Sequence, residues 1–354
     1  MSRTRRQLRP SPAHAGGVTL IELMVALVLG LIVSGAALAL FSTNKQTYIA
    51  SESLARVQEA ERTAFELMSR DVREGGGNAC EKGLDVGNVI NKVSGSIPWY
   101  ADFGGGVRGY GGAMAFADAP FGTGLRDRVS GTDAIELKSG VSSGVDIQRQ
   151  PGGPSADIKL TAIAASTFSA GDIVMACNYD HGAVFQIEQI NGGGINVVHN
   201  TGNSQVPGNC SKGLGFPTVC STTGTSYDFG SNPPGMLAKL RATRWYIGYN
   251  SRTTGLGQPS RSLYQSTTFN NAGTPTVVNN EITQGVRDMQ LYYLLLGATT
   301  YVDAASVPAA DWLDDKVVAV KIDLTLEGDD RIATSGAALQ RHLEHIVAIR
   351  NRTP

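Results

Sequence analysis

The side chains best able to do chemistry are one acid inside an apolar run, a pair of close histidines, four cysteines and a few acidic or glycine-rich clusters. Glu22 lies near the start of GGVTLIELMVALVLGLIVSGAALALF, Gly16 to Phe41, a stretch otherwise as apolar as a membrane span. Insertion scales charge roughly 2.5–3.5 kcal/mol for an ionised residue at a helix centre, so an acid kept in such a run implies a partner for it. His342 and His345, in HLEH, could ligate a metal from one helix face, but the order is not HExxH and no third ligand is evident. GGGVRGYGG, Gly104 to Gly112, has the glycines of a phosphate-cradling loop without the Lys and Ser or Thr that should follow, and reads as a flexible surface loop. Asp314-Asp315 and Asp329-Asp330 lack the spacing of a calcium loop and read as strand-flanking turns. No GxSxG elbow occurs. The expectation is a protein without catalytic residues, cofactor or metal.

Cys80, Cys177, Cys210 and Cys220 are an even number in a chain that reads as exported, and none has CxxC spacing, so disulfides are expected and a zinc knuckle is not. Four cysteines allow three pairings. Cys210 and Cys220 bracket a short polar loop, so the pairing expected first is Cys210 with Cys220 and Cys80 with Cys177, with the other two pairings, or reduced and buried cysteines, as the alternatives. The total of 30 Lys plus Arg against 31 Asp plus Glu hides an asymmetry. Met1 to Gly17 carries Arg3, Arg5, Arg6 and Arg9 and no acid, so the rest of the chain is mildly acidic. A mildly acidic body without a basic stripe excludes nucleic-acid binding.

These residues need elements to position them. From Val18 to Phe41 the run is 24 residues, about 36 Å as a helix, enough to span a bilayer. The arginines ahead of it should stay cytoplasmic, with everything after Phe41 outside. A secretory signal peptide cut near Ala37-Leu38-Ala39 is one competing reading, but the apolar run exceeds the usual length of such a core; an uncleaved signal anchor is another that fits the hydropathy, and neither explains Glu22. Ala26, Gly30 and Ser34 recur every four residues, a small-residue row that lets helices approach closely. Beyond the span, Leu54, Val57, Ala60, Ala64, Met68 and Val72 continue a helical stripe, with Arg62, Glu66, Arg70 and Glu74 on the wet side. Gly75, Gly76 and Gly77 should end it, giving one helix from about Val18 to Glu74.

From Asn78 onward short β-prone runs alternate with Gly, Asn, Ser and Pro clusters. Strands are expected in AIELK, DIVMAC, AVFQIEQI, INVVH, TRWYIGY and MQLYYLLL, and in the terminal HIVAIRNR. The clearest is KVVAVKIDLTLEG, where Val318, Val320, Ile322, Leu324 and Leu326 alternate with Lys321, Asp323 and Thr325, as on a sheet with one face buried. Gly104 to Gly112 and Asn191 to Gly194 read as long loops, and no internal repeat is present.

A basic leader ending in Gly17, followed by VTLIEL with its acid five residues in, resembles the signal of type IV prepilins and pseudopilins. The resemblance implies that a membrane peptidase cuts after Gly17 and methylates the amine of Val18. It makes Glu22 the fifth mature residue, paired with the N-terminal amine of a neighbouring subunit during assembly. Family members most often begin with phenylalanine, and this chain has valine. The helix also lacks the proline that kinks many major pilins. ESLARVQEAERTAFELMSRDVREGGGNAC, GDIVMACNYDHGAVFQIEQI, ITQGVRDMQLYYLL, VVAVKIDL and IVAIRNR resemble segments of PilW-type minor pilins.

This resemblance implies an α+β pilin-like fold, a long N-terminal helix packed on an antiparallel sheet with long loops. It divides the chain into a leader at 1–17, a membrane and assembly half-helix at 18–41, an amphipathic half-helix at 42–77 and a β-rich head at 78–354. It further implies a minor pilin of a type IV pilus that primes assembly and stays near the tip. Its partners would be the prepilin peptidase, other minor pilins, the major pilin and the inner-membrane assembly platform, with a tip adhesin as a further candidate. It would reside in the inner membrane with the head in the periplasm, then on the cell surface. The alternatives are a J-type minor pseudopilin of type II secretion and, from another class, a secreted enzyme with a cleaved signal.

Overall fold

The computed structural model describes residues 17–116, 119–150, 156–161, 167–202, 204–230, 234–332, 337–350 and 352. The leader arginines and His14 lie outside the described residues. By contact the chain divides into two compact units, Met1–Glu52 and Ser53–Pro354. One helix, α1 (Leu20–Glu74), runs through the boundary. It forms because nothing between Leu20 and Glu74 is proline, and the one glycine-rich break falls after Glu74.

In the first unit every side chain from Val18 to Phe41 is exposed, and the helix is long and apolar enough to cross a membrane. Leaving so many large apolar side chains uncovered is untenable in water, so lipid or other helices must cover them.

In the second unit the remainder of α1 buries Val57, Ala64, Met68 and Val72. Leu54, expected on that stripe, is 39% exposed, and Ser53 turns inward in its place. A close approach explains the exchange: a Cβ on Gly328 would lie 2.4 Å from Ser53 Oγ, so the backbone there leaves room only for a small side chain. On the wet side Arg62 pairs with Glu66 at 3.8 Å and Arg70 with Glu74 at 3.5 Å.

The strands are β1 (Val86–Asn88), β2 (Val107–Tyr110), β3 (Ala134–Arg149), β4 (Asp157–Leu160), β5 (Ile173–Cys177), β6 (Gly182–Gln186), β7 (Gln189–Asn191) and β8 (Asn196–Val198). They continue with β9 (Met236–Thr253), β10 (Pro259–Asn271), β11 (Thr274–Gln284), β12 (Val286–Leu295), β13 (Tyr301–Asp303), β14 (Val317–Ile332) and β15 (Ala337–Ala348), with a short α2 (Ala309–Leu313) before β14. They form two sheets rather than the single one expected. The larger has eleven strands along β1-β6-β5-β9-β3-β4-β8-β7, with β10 and β11 continuing outward from β9 and β2 attached to β3. The smaller runs β13-β12-β14-β15. Pairing is antiparallel except for β1 with β6. The second half of α1 buries its stripe against both sheets, with Trp245, Leu263, Leu291, Ile322 and Leu324 in the same core. A second core joins Ile147, Val174, Phe185, Val197 and Leu237.

Several expectations need correction. GGGVRGYGG is no free loop, because Val107–Tyr110 pairs with Ala134–Leu137 as β2. AVFQIEQI is broken at Ile187-Glu188 into β6 and β7. The alternation in β14 holds from Val320 onward, but Val318 is only half-buried, since a register shift opposite Leu294 and Leu295 turns Val317 inward. Asp329-Asp330 falls within β14 and is no turn. HLEH lies in β15, where residues three apart point to opposite faces. His342 meets Asp323 at 2.9 Å and His345 lies against the Phe65 ring, so the pair does not converge on a metal. The hairpin β10–β11 was not expected at all, because its strands are rich in Ser, Thr, Asn and Gln rather than in large apolar residues.

Both disulfides are formed, Cys80–Cys177 tying the segment after α1 to β5, and Cys210–Cys220 closing the polar loop. A third tie uses charge. Gly76 has φ +73°, and a Cβ there would come within 2.7 Å of the Arg352 guanidinium, so only glycine admits that side chain. Arg352 is buried, meets Asp315 at 2.6 Å and donates to the carbonyls of Gly105 and Val317. Asp314-Asp315 thus serves as an anchor after α2 and not merely as a turn.

A polar clasp fixes the angle of α1 on the larger sheet. Asp71 is buried and accepts from Arg241 at 2.7 Å, Trp245 Nε1 at 3.0 Å and Gln265 Nε2 at 2.8 Å, and Glu74 adds a contact to Arg241 at 3.2 Å. Burial pushes the Asp71 carboxyl up from its ordinary range, and Arg241, Gln265 and Trp245 oppose that shift. Removing one side of a buried, hydrogen-bonded charge leaves its partners unsatisfied. Asp71→Ala should therefore cost about 3 kcal/mol of head stability, read as a lower denaturant midpoint of the full chain in detergent with an unchanged slope.

Candidate functional site

The most unusual chemistry is at the start of α1. Gly17, Val18 and Thr19 are exposed and non-helical, and the helix begins at Leu20. Thr19 is its N-cap. The Glu22 amide donates to Thr19 Oγ1 at 3.3 Å, while Glu22 Oε2 accepts from both the Thr19 amide and the Thr19 hydroxyl at 2.9 Å. This reciprocal arrangement is a capping box, which satisfies helix-end donors that have no intrahelical partner. The Leu23 amide donates to the Thr19 carbonyl at 3.1 Å, closing the first turn. Reading Glu22 alone missed Thr19. The signal was present as T-L-I-E ahead of an apolar run, the [ST]-x-x-[DE] pattern.

The cap explains how an acid persists at the edge of an apolar helix. A carboxylate in the first turn faces the positive end of the helix dipole and the exposed amides there. Its Oε2 takes the intrachain bonds, and Oε1 has no partner among the described residues. Breaking the Gly17–Val18 bond would place a new α-amine one residue before the cap. A cation at that end of a helix is poorly placed unless a carboxylate offsets it, and Glu22 is the only acid between Met1 and Lys45.

Glu22 also heads a row. Val18, Glu22, Ala26, Gly30 and Ser34 follow one another at four-residue steps and, with Leu23, Leu27 and Leu31, line a shallow groove of about 470 Å³. A Cβ on Gly30 would meet nothing within 4 Å, so no contact among the described residues requires glycine there. Glycine in a helix interior costs about 1 kcal/mol relative to alanine. A row of small residues that no described residue fills suits the close approach of a second helix.

The head offers no comparable reactive centre. Among the described residues no three His, Cys, Asp or Glu side chains converge as a metal site. Glu136 is buried between Lys138 and Arg244, each at 2.7 Å, and receives the Tyr110 hydroxyl at 2.9 Å. Burial opposes its charge, but the two cations overcome that and hold its carboxyl below the usual range. His199 is fully buried beside Phe185, and burial pulls its imidazole down to about 4. A neutral core histidine of this kind is structural. Cys80, Cys177, Cys210 and Cys220 are all oxidised and are no nucleophiles.

The prokaryotic N-terminal methylation motif matches residues 13–38, the segment that contains the cap, Glu22 and the small-residue row. No curated protein and no solved structure matches the chain.

The cap carries its own test. Thr19→Val keeps the side-chain shape and removes both hydroxyl bonds, which should cost about 1 kcal/mol at the helix start. In detergent-solubilised full chain, hydrogen exchange at the amides of Ile21 to Leu23 should quicken by roughly fivefold, with no change in the head.

Proposed function

We propose that this chain, whose N-terminal methylation motif marks it as pilin-like, is a minor pilin of a type IV pilus. It is an inner-membrane-anchored protein, and the motif implies processing by prepilin peptidase. On this reading the cut falls between Gly17 and Val18, and the amine of Val18 is methylated and stays cationic. The membrane half-helix extends to Phe41, followed by the amphipathic half-helix to Gly77 and the head to the C-terminus. The subunit leaves the membrane by docking α1 among the helices of other subunits, priming assembly with other minor pilins and remaining near the tip.

The observation that carries the reading is the state of Glu22. One carboxylate oxygen is committed to Thr19 and the other has no partner among the described residues, at the end of a groove that none of them fills. A neighbouring subunit that brings its methylated amine to that oxygen neutralises two charges in an apolar setting. One out of register buries both unpaired, a cost of several kcal/mol. The pair therefore selects the register of docking more than it adds affinity. The Ala26, Gly30 and Ser34 row allows the close helix approach that such docking requires.

The motif is shared with pseudopilins of type II secretion, and the choice of a pilus rests on the PilW-type segments of the head. Against the enzymatic alternative, Glu136 is neutralised by Lys138 and Arg244, the cysteines are oxidised, and pilin-like proteins are generally structural.

Glu22→Ala separates processing from assembly. The variant should be cut and methylated normally, because the scissile bond precedes the cap, yet fall by about a hundredfold in sheared filaments relative to membranes, as expected when an unpaired buried amine costs near 3 kcal/mol. Incorporation at the unmodified level would overturn the charge-pair account.

A further inference from the structure

The larger sheet ends in a strand whose outer edge is unpaired. β11 pairs with β10 and with no other strand. The hairpin turns at Ala272-Gly273, with φ of +49° and +96°, so Asn271 and Thr274 form the first hydrogen-bonded pair. Antiparallel pairing then alternates, and Asn270–Pro275, Thr268–Val277, Ser266–Asn279 and Tyr264–Glu281 are the pairs without mutual hydrogen bonds. Pro275 has no N–H to give and falls in that set, which independently fixes the phase. The N–H and C=O groups of Val277, Asn279 and Glu281 therefore point outward, and no backbone bond from the described residues satisfies them.

Natural sheets usually blunt such an edge with charge, proline or a cover. β15, the edge of the smaller sheet, carries Arg341, His342 and Glu344. On β11 the blunting is limited to Pro275 beside the turn: the only charged residue between Thr274 and Gln284 is Glu281, and it turns back to Arg252 and Ser262. Val277 is exposed, as is Phe269 on the neighbouring strand.

A cavity opens on one face of this edge. Arg244, Ser266 and Asn279 are successive partners across β9, β10 and β11, so their side chains share a face, and Ser266 Oγ donates to Asn279 Oδ1 at 2.6 Å. A cavity of about 490 Å³ lies over that row, walled by Phe116, Phe121 and Tyr246 and by Arg126, Arg128 and Arg244 against the one carboxylate of Asp127. Arg128 is buried with its guanidinium 4.8 Å from both phenylalanine rings; its terminal nitrogens donate to the carbonyls of Tyr110, Gly111, Met114 and Thr132, which leaves Nε alone without an acceptor among the described residues. Arg126 is exposed and has no carboxylate partner among the described residues. A strand laid along β11 would place the side chain opposite Asn279 at the mouth of this cationic, aromatic-walled cavity.

We propose that β11 is a docking edge for an extended segment of another pilin-like subunit's head, adding a strand to the larger sheet and presenting an Asp or Glu to Arg126 and Arg128. Main-chain bonds to Val277, Asn279 and Glu281 hold the segment, and the cavity selects its side chain, as in other cases of strand addition. This rests on the assembly reading above and adds a head-to-head contact to the helix contact at Glu22.

The phase of the edge supplies the test in the full chain. Val277→Pro removes only an outward N–H and should leave melting and both disulfides unchanged, whereas Val278→Pro breaks a bond to Thr267 and should destabilise the hairpin. Val277→Pro should then lower recovery in sheared filaments by about tenfold, and Arg126→Glu should do the same without touching the backbone. A photo-crosslinking residue placed at Asn279 in the otherwise unaltered chain should couple, in membranes, to an acid-bearing extended segment of a different subunit with a methylated N-terminus. Normal incorporation of both variants, or a crosslink to a second copy of this chain or to a protein of another kind, would overturn the proposal. Absence of even the unaltered chain from filaments would count against the assembly reading instead, and the membrane crosslink would still decide the edge.

Discussion

The contact between Glu22 and Thr19 is the constraint on which the rest of this molecule turns. An acid at the head of an apolar helix is tolerable because the helix end supplies amides and a hydroxyl to meet it. That same geometry leaves one oxygen unused. Among its described residues the first unit then leaves two groups uncovered: a carboxylate oxygen, and a length of helix from Val18 to Phe41 whose side chains are all exposed. Lipid covers the second but not the first. On the proposed reading a second helix bearing an amine would meet both, which would join the processing chemistry and the packing chemistry in one short segment.

The second unit is built so that its part of α1 cannot slip. Val57, Ala64, Met68 and Val72 bury into a core shared by both sheets, and the non-directional part of the binding comes from them. Direction comes from the Asp71 clasp to Arg241, Trp245 and Gln265, which only one rotation and height of the helix satisfies. Arg352 closes the end of the helix through the space left at Gly76. Two disulfides stabilise the longer connections by limiting the unfolded chain, with the Cys80–Cys177 bridge closing 97 residues and so acting on the larger loop. A head fixed this firmly carries its outer edge to a defined place relative to its own half of the helix.

Much of this was legible from residues, and the failures have physical causes. The helix, its glycine stop and the strands rich in Val, Ile and Leu could be read because burial writes a period into the sequence. The hairpin β10–β11 could not, because its strands make their bonds through Ser, Thr, Asn and Gln and bury little. Ser53 replaced Leu54 on the inner stripe for a reason that lies 275 residues away in the chain, the close backbone at Gly328. GGGVRGYGG looked like a loop because glycine is usually read as a breaker, yet its middle pairs with β3. At the candidate site Glu22 was recognised from its odd setting, while Thr19 passed unnoticed since threonine beside an apolar run attracts no suspicion. The cap is a relation between two residues, and reading them singly loses it.

The central claim is that Gly17–Val18 is a processing point that creates the amine Glu22 is placed to meet. Mass spectrometry of the N-terminal peptide of the protein recovered from membranes tests it most directly. The account predicts a chain that begins at Val18 and carries one methyl group on its α-amine. A chain that begins near Ser42, or that keeps its leader in every fraction, would contradict it.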